Sequence, residues 1–136
     1  MSFKMNPEVK AKWLKALRSG EYRQGKGFLL RRDAKGKDRF CCLGVLCNLY
    51  AQEHPGTGFN LMTEETFAYV SQWMSAVTRR KKGESLFEFD RHVVNLPKEV
   101  REWAGVPAHW VQGTLAEMND NGKSFKQIAS WIEEHL

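Results

Sequence analysis

The chain has 136 residues, of which 42% are hydrophobic and 27% are charged, a balance typical of one globular domain with a modest core. No apolar run approaches the roughly 20 residues that a membrane-spanning helix needs, and the first residues lack the apolar segment of a signal peptide. We therefore expect a single domain over residues 1–136, located in the cytoplasm and not bound to a membrane.

The net charge of +5 is concentrated in one part of the chain. Residues 10–39 contain eleven lysines and arginines and three acidic residues, a net of +8. Residues 41–136 contain nine basic and twelve acidic residues, a net of −3. Such asymmetry favours an anionic partner, such as nucleic acid, a nucleotide or an acidic protein. The alternative is a basic surface that serves only solubility.

The first predicted helix is marked at both ends. Asn6 can cap it, Pro7 suits its first position, and Gly20 is a natural stop. Between these positions, apolar residues recur at the spacing of one helical face. They are Val9, Trp13, Leu14 and Leu17.

A basic β-hairpin is predicted next. Residues 28–32 and 39–41 are typical of short strands, joined by a polar connection that contains Gly36. Arginine is the residue best suited to hold phosphate oxygens in a bidentate manner, so we expect an anion-binding surface here. Its candidate residues are Arg23, Lys26, Arg31, Arg32, Lys35, Lys37 and Arg39. A base could stack on Tyr22, Phe28 or Trp110.

All three cysteines lie within seven consecutive residues, at Cys41, Cys42 and Cys47. Their number and spacing fit neither a disulfide framework nor the paired ligands of a zinc site. We therefore expect no metal and no cofactor. Apolar residues at helical spacing follow the first two cysteines and predict a buried helix over residues 42–53.

Cys42 supports an alternative function as the nucleophile of a cysteine-dependent hydrolase. A helix N-terminus lowers the pKa of a thiol. His92 would be the base and Asn95 would orient it. The apolar neighbours of Cys42 argue against this, because burial raises a thiol pKa and makes the group inert. We expect structural cysteines.

The middle of the chain gives weaker patterns. A helix is predicted from residue 63 to residue 77, followed by a basic loop at residues 79–82. Residues 86–89 and 92–94 are strand-like. With the hairpin, these patterns predict an α+β fold in which a small antiparallel sheet of three to four strands packs with four to five helices.

The C-terminal third predicts three helices. The first covers residues 98–103, and a capping box at Thr114 heads a very short second one at residues 115–118. A capping box at Ser124 heads the third, which has Phe125, Ile128, Ala129 and Ile132 on one face.

A turn at residues 119–122 separates the last two helices and gives them helix-turn-helix form. The final helix carries Glu133 and Glu134, whereas a recognition helix normally faces phosphates with lysine and arginine. We expect this helix pair to pack in the core. Nucleic-acid binding elsewhere on the chain remains a further alternative.

Three segments carry a resemblance to known proteins. In order, they are Trp13-x-x-Ala16-Leu17-Arg18-Ser19-Gly20-x-Tyr22-x-Gln24-Gly25, Phe40-Cys41-Cys42-Leu43-Gly44-Val45-Leu46-Cys47-x-Leu49 and Leu115-Ala116-Glu117-Met118-Asn119-Asp120-x-Gly122-x-Ser124-Phe125-x-x-Ile128-Ala129. Together they resemble a family of small bacteriophage and prophage proteins, with residues 55–90 unmatched.

The resemblance implies that the protein is a phage accessory protein that acts in the cytoplasm of a bacterial host. It implies no particular activity. Small phage proteins of this kind bind or sequester host components, including defence systems and their nucleotide signals. We therefore expect a non-enzymatic protein that binds a host component or a nucleotide-like anion. The sequence leaves homo-oligomer formation open.

Overall fold

The computed structural model describes residues 5–32, 35–55, 57–61, 71–74, 96–106 and 109–136. These residues form five α-helices and four short β-strands. The helices are α1 (Pro7–Ser19), α2 (Cys42–Glu53), α3 (Lys98–Ala104), α4 (His109–Asp120) and α5 (Phe125–His135). The strands are β1 (Leu30–Arg32), β2 (Asp38–Phe40), β3 (Gly58–Leu61) and β4 (Ser71–Met74).

The α+β class and the number of helices agree with the prediction, but the strands are arranged differently. The described strands form two separate antiparallel pairs, β1 with β2 and β3 with β4, rather than one sheet of three to four strands. The second edge of β2 is occupied by residues 23–25, which form a parallel bridge between Gln24 and Phe40. That edge is therefore not available to β3 or β4.

Local signals set both ends of α1 as predicted. The Asn6 side chain accepts hydrogen bonds from the backbone N–H groups of Glu8 (3.0 Å) and Val9 (3.4 Å), which satisfies two donors that a helix start leaves open. Gly20 ends the helix with a φ of 78°, a conformation that glycine adopts without steric cost. Trp13 and Leu17 are buried on the inner face.

The centre of the fold is α2, whose first half is buried on every side. Every residue from Cys42 to Cys47 is buried, and the helix packs against α1, α3 and α4. The indole Nε1–H of Trp13 donates to the carbonyl oxygen of Cys42 at 3.0 Å. Gly44 lets the chain before β1 approach closely, because a Cβ atom there would lie 1.7 Å from the carbonyl oxygen of Leu29.

The C-terminal helices match the prediction at α3 and α5 but not at α4. Ser124 heads α5 with both hydrogen bonds of a capping box. The helix α4, however, begins at His109 and runs through Thr114, which was predicted to cap its start. Val111 and Leu115 are both fully buried one helical turn apart, and this packing extends the helix past the local capping signal.

The predicted helix over residues 63–77 is wrong where it can be compared. Ser71–Met74 form β4, and its residues pair with Gly58–Leu61. This pairing is non-local, so helical spacing within one segment could not reveal it. The other residues of that helix, the basic loop at 79–82 and the two strand-like runs lie outside the described residues.

One hydrophobic core contains residues from all five helices. Its fully buried members include Trp13, Leu46, Val100, Leu115 and Ile132. None of the described helices combines the length and the apolar character needed to cross a membrane.

Gly44 gives a direct test of the close approach at the centre of the fold. We expect Gly44→Ala to lower the free energy of unfolding by about 3 kcal/mol, because the added methyl group overlaps backbone atoms that have no flexible end to move. The measurement is urea denaturation followed by circular dichroism. Gly113→Ala in α4 is the matched control: its added Cβ meets nothing within 4 Å, so it should stabilise by up to about 1 kcal/mol. Equal effects of the two variants would contradict the packing.

Candidate anion-binding face and the junction that holds it

The hairpin of β1 and β2 has one apolar face and one basic face. Leu30 pairs with Phe40 and Arg31 pairs with Arg39 across the two strands. Leu30 is buried and Phe40 is half-buried, whereas both arginines are exposed. Because neighbouring residues of a strand point to opposite sides, the pairing places the two arginines side by side facing outward.

Residues 23–25 add a third extended segment to this hairpin. The backbone N–H of Phe40 donates to the carbonyl of Arg23, and that of Gly25 donates to the carbonyl of Phe40, both at 2.8 Å. Gln24 therefore lies beside Phe40 on the inner face, and alternation places Arg23 on the outer face with Arg39 and Arg31. We call Arg23, Arg39 and Arg31 the arginine row.

The other predicted ligand-binding residues lie around this row. Lys26 is exposed in the turn that follows Arg23, and Lys35 and Lys37 are exposed at the far end of the hairpin. Arg32 lies in β1 opposite Asp38, and its side chain is outside what the structure describes. We call the arginine row together with Lys26 the basic face.

Charge on the basic face is only partly compensated. Within the described part of the chain, no salt bridge joins Arg23, Lys26 or Arg31 to a carboxylate. Arg39 donates from Nη1 to the carbonyl oxygen of Gln24 at 3.5 Å. The face is therefore a cluster of cations held together by backbone pairing.

Of the three aromatic residues predicted to stack on a base, Phe28 lies at the basic face. The guanidinium carbon of Arg31 lies 5.5 Å from the centre of its ring, within the range of a cation–π contact. Tyr22 packs edge-to-face on Phe40 and accepts a hydrogen bond from Asn48, so it belongs to the inner side. The side chain of Trp110 lies outside the described residues.

A fully buried amide, the side chain of Asn119, fixes the segment that carries this face. Its Oδ1 accepts from the backbone N–H of Cys42 (3.3 Å) and from Nε2 of Gln24 (3.0 Å). Its Nδ2 donates to the carbonyl of Gly25 at 2.7 Å. Cys41 precedes α2 without a side-chain capping bond, so Asn119 supplies the cap of α2 from a distant helix.

Gln24 caps a second helix in the same way. Its Oε1 accepts from the backbone N–H of Phe125 at 3.1 Å, at the start of α5. Its Nε2 also donates to the carbonyl of Lys123 at 2.6 Å. We call this set of bonds around Asn119 and Gln24 the amide junction. It ties residues 24–25 to α2, α4 and α5 at once.

Asp120 holds the glycine-rich turn next to the junction. Its Oδ1 accepts from the backbone N–H of Gly27 at 2.9 Å, while Asn119 holds the carbonyl of Gly25. The turn that presents Lys26 is therefore fixed on both sides of that residue by the end of α4.

Sequence reasoning missed the residues of this junction. Residues 119–122 were predicted to form a turn, but Asn119 and Asp120 are the last residues of α4, and Asn119 is fully buried. An Asn-Asp-Asn-Gly run is typical of a turn, so the local pattern contained no sign of burial. No structural role was predicted for Gln24, and none beyond a turn for Asp120, since their partners lie about 95 positions away.

All three cysteines are buried, and Cys42 also takes part in the amide junction through its backbone N–H. Cys42 is fully buried and its Sγ–H donates to the carbonyl of Leu115 at 3.6 Å. Burial raises the pKa of Cys42 and Cys47 well above the usual thiol value, and that of Cys41 to about 11. Thiols in such surroundings behave as small apolar groups.

This environment does not suit Cys42 as a nucleophile. His92 and Asn95, its hypothetical partners, lie outside the described residues. Among the residues that the structure describes, no group of three or more His, Cys, Asp or Glu side chains could hold a metal ion.

A cavity of about 310 Å³ lies between α1 and the second half of α2. Lys12 and Glu53 form an ion pair at it, and Lys15 and Glu21 also line it. Because the lining carries both signs of charge and no residue of the basic face, the cavity shows no preference for an anion.

The fold and the site define a small α+β protein in which a buried amide junction presents a basic hairpin face. The chain belongs to the family described as a domain of unknown function, DUF8296, whose model matches residues 5–136. No curated protein and no solved structure matched the chain.

Asn119→Ala tests the amide junction. The substitution leaves the N–H of Cys42 and the carbonyl of Gly25 buried without partners, so we expect a loss of about 3 kcal/mol in the free energy of unfolding. Asn121→Ala, two positions along in an exposed turn, is the matched control and should change stability by less than about 0.5 kcal/mol. Chemical denaturation measures both, and a similar small effect for both variants would rule out the junction as a structural centre.

The pH dependence of stability tests the burial of the Cys41 thiol. Its thiol pKa is about 9 in the unfolded chain and about 11 in the folded protein, so the folded state holds the proton more tightly. The contribution of the protonated Cys41 thiol to the free energy of unfolding is complete below about pH 8 and is lost between pH 9 and pH 11. From pH 8 to pH 10.5, wild type should therefore lose about 2 kcal/mol more stability than Cys41→Ala. Parallel pH dependence of the two proteins would contradict the burial of this thiol.

Proposed function

We propose that this protein is a non-enzymatic binding protein that holds a nucleotide-like, phosphate-bearing ligand on its basic face. The observation that supports the proposal is the arginine row: three arginines on adjacent extended segments, turned to the same side. Guanidinium groups are planar forks of N–H donors that match phosphate oxygens in geometry and charge. An array of this kind fits a ligand with more than one phosphate.

The electrostatics of the row favour an anion. Arg31 and Arg39 are direct cross-strand partners, and like charges at such positions destabilise a hairpin by up to about 1 kcal/mol. A phosphate bound between the two side chains would be attracted by both guanidinium groups.

The way the face is supported also favours ligand binding. Gly25 and Gly27 are both hydrogen-bonded to the end of α4, so the turn that carries Lys26 is ordered before a ligand arrives. Preorganisation reduces the entropy lost on binding. Neither the core nor the amide junction uses the ammonium group of Lys26, which is exposed between two fixed residues.

The resemblance to phage and prophage proteins supplies the biological part of the proposal. We place the protein in the cytoplasm of a bacterial host, as a phage accessory protein that binds a host component. A protein that holds phosphate-bearing ligands could sequester the nucleotide signals of a host defence system, and this is the counter-defence role that we propose for it.

A thermal-shift experiment tests the proposal with nucleoside triphosphates, cyclic dinucleotides and inorganic polyphosphate as probes. A ligand at 100 times its Kd stabilises the folded state by about 2.7 kcal/mol, which raises Tm by several degrees. We expect at least one probe to do so with wild type and to have no effect on Arg31→Glu/Arg39→Glu.

Lys15→Glu/Lys98→Glu is the matched control, because it changes the net charge by the same amount at exposed positions outside the basic face. It should respond as wild type does. If no probe shifts Tm, or if both double variants lose the shift equally, the proposal fails.

A further inference from the structure

We infer that the phosphate-bearing ligand is single-stranded nucleic acid, with a base stacked on the Arg31–Phe28 pair and the phosphates along the arginine row and Lys26. The inference rests on the proposed function and names the class of ligand that the geometry of the face fits best.

The first argument is the length of the row. Its three arginines belong to three adjacent extended segments, and neighbouring strands lie about 4.8 Å apart, so the row extends over roughly 10 Å. Stacked nucleotides advance by about 3.4 Å each along one strand. Because successive phosphates of one strand are farther apart than this axial rise, the row reaches about two of them, and it is longer than a single phosphate requires.

The second argument is the openness of the face. Sites for small molecules are concave and bury most of their ligand. Here all three arginines are exposed on the outer side of a hairpin, where a ligand is bound along one side only. Proteins that bind single strands combine positive charge that tracks the backbone with aromatic side chains on which the bases stack.

The third argument is the contact between Arg31 and Phe28. The ring holds the guanidinium at 5.5 Å from its centre and so restricts a group that would otherwise move freely. Arginine planes and aromatic rings are the surfaces on which proteins stack unpaired bases. In a duplex the bases are paired and stacked on each other, so this contact distinguishes a single strand from a duplex.

Fluorescence anisotropy with a labelled 12-nucleotide single strand of mixed sequence tests the inference, using both RNA and DNA versions. We expect the single strand to bind at least tenfold more tightly than the corresponding duplex. With four cationic contacts, log K should fall against log salt with a slope of about −3, and Arg31→Ala/Arg39→Ala should halve that slope.

Variants of Phe28 separate stacking from charge. We expect Phe28→Ala and Phe28→Leu each to weaken single-strand binding by about 5- to 100-fold with the salt slope retained, and Phe28→Tyr to bind as wild type does. The leucine variant keeps an apolar side chain at this half-buried position, and its Tm shows whether a loss of binding comes from unfolding.

Inorganic polyphosphate, which has no bases, is the competitor that separates this inference from the proposed function. If polyphosphate binds as tightly as the single strand and Phe28→Leu changes neither, the ligand is not recognised through its bases, and the inference is wrong while anion binding stands. Equal affinity for single strand and duplex also overturns it. If neither probe binds at low salt, both proposals fail.

Discussion

The structure depends on the satisfied hydrogen bonds of one buried amide, the side chain of Asn119. Its two polar atoms contact Gln24, Gly25 and Cys42, three residues that belong to two distant segments of the chain. A buried amide without partners would destabilise the fold by several kcal/mol, so these segments must assemble in one arrangement. The amide thus specifies the fold more than it adds to its stability.

This constraint explains the cysteine cluster and Gly44. The chain before β1 and the start of α2 approach closely, and only a residue without a side chain fits at Gly44. Cys42 presents its backbone N–H to Asn119 and its small thiol to Leu115. The cysteines are thus compact apolar groups at a crowded junction. Gln24, Cys42 and Asn119 belong to three segments that are far apart in the sequence, and all three meet here.

The same junction allows the hairpin to carry a concentration of positive charge. Phe40 packs against the hydrophobic core, and the bonds to Gly25 and Gly27 fix the connection of the hairpin to α4. This anchoring keeps the three arginines of the row on adjacent extended segments. The inner face of this short element packs in the structure, and the outer face is the one on which we propose binding, as is common where function lies on surface loops.

The sequence by itself determined the features that depend on neighbouring residues: the capped ends of α1, the limits of α2, the capping box of α5 and the basic hairpin. Tertiary structure decided the rest. The helix α4 extends through Thr114 because Val111 and Leu115 are buried, and Ser71–Met74 form a strand because Gly58–Leu61 pair with them. The basic residues were predicted from their clustering, whereas Asn119, Gln24 and Asp120 were not. Their roles come from partners far along the chain, and a local pattern carries no information about such contacts.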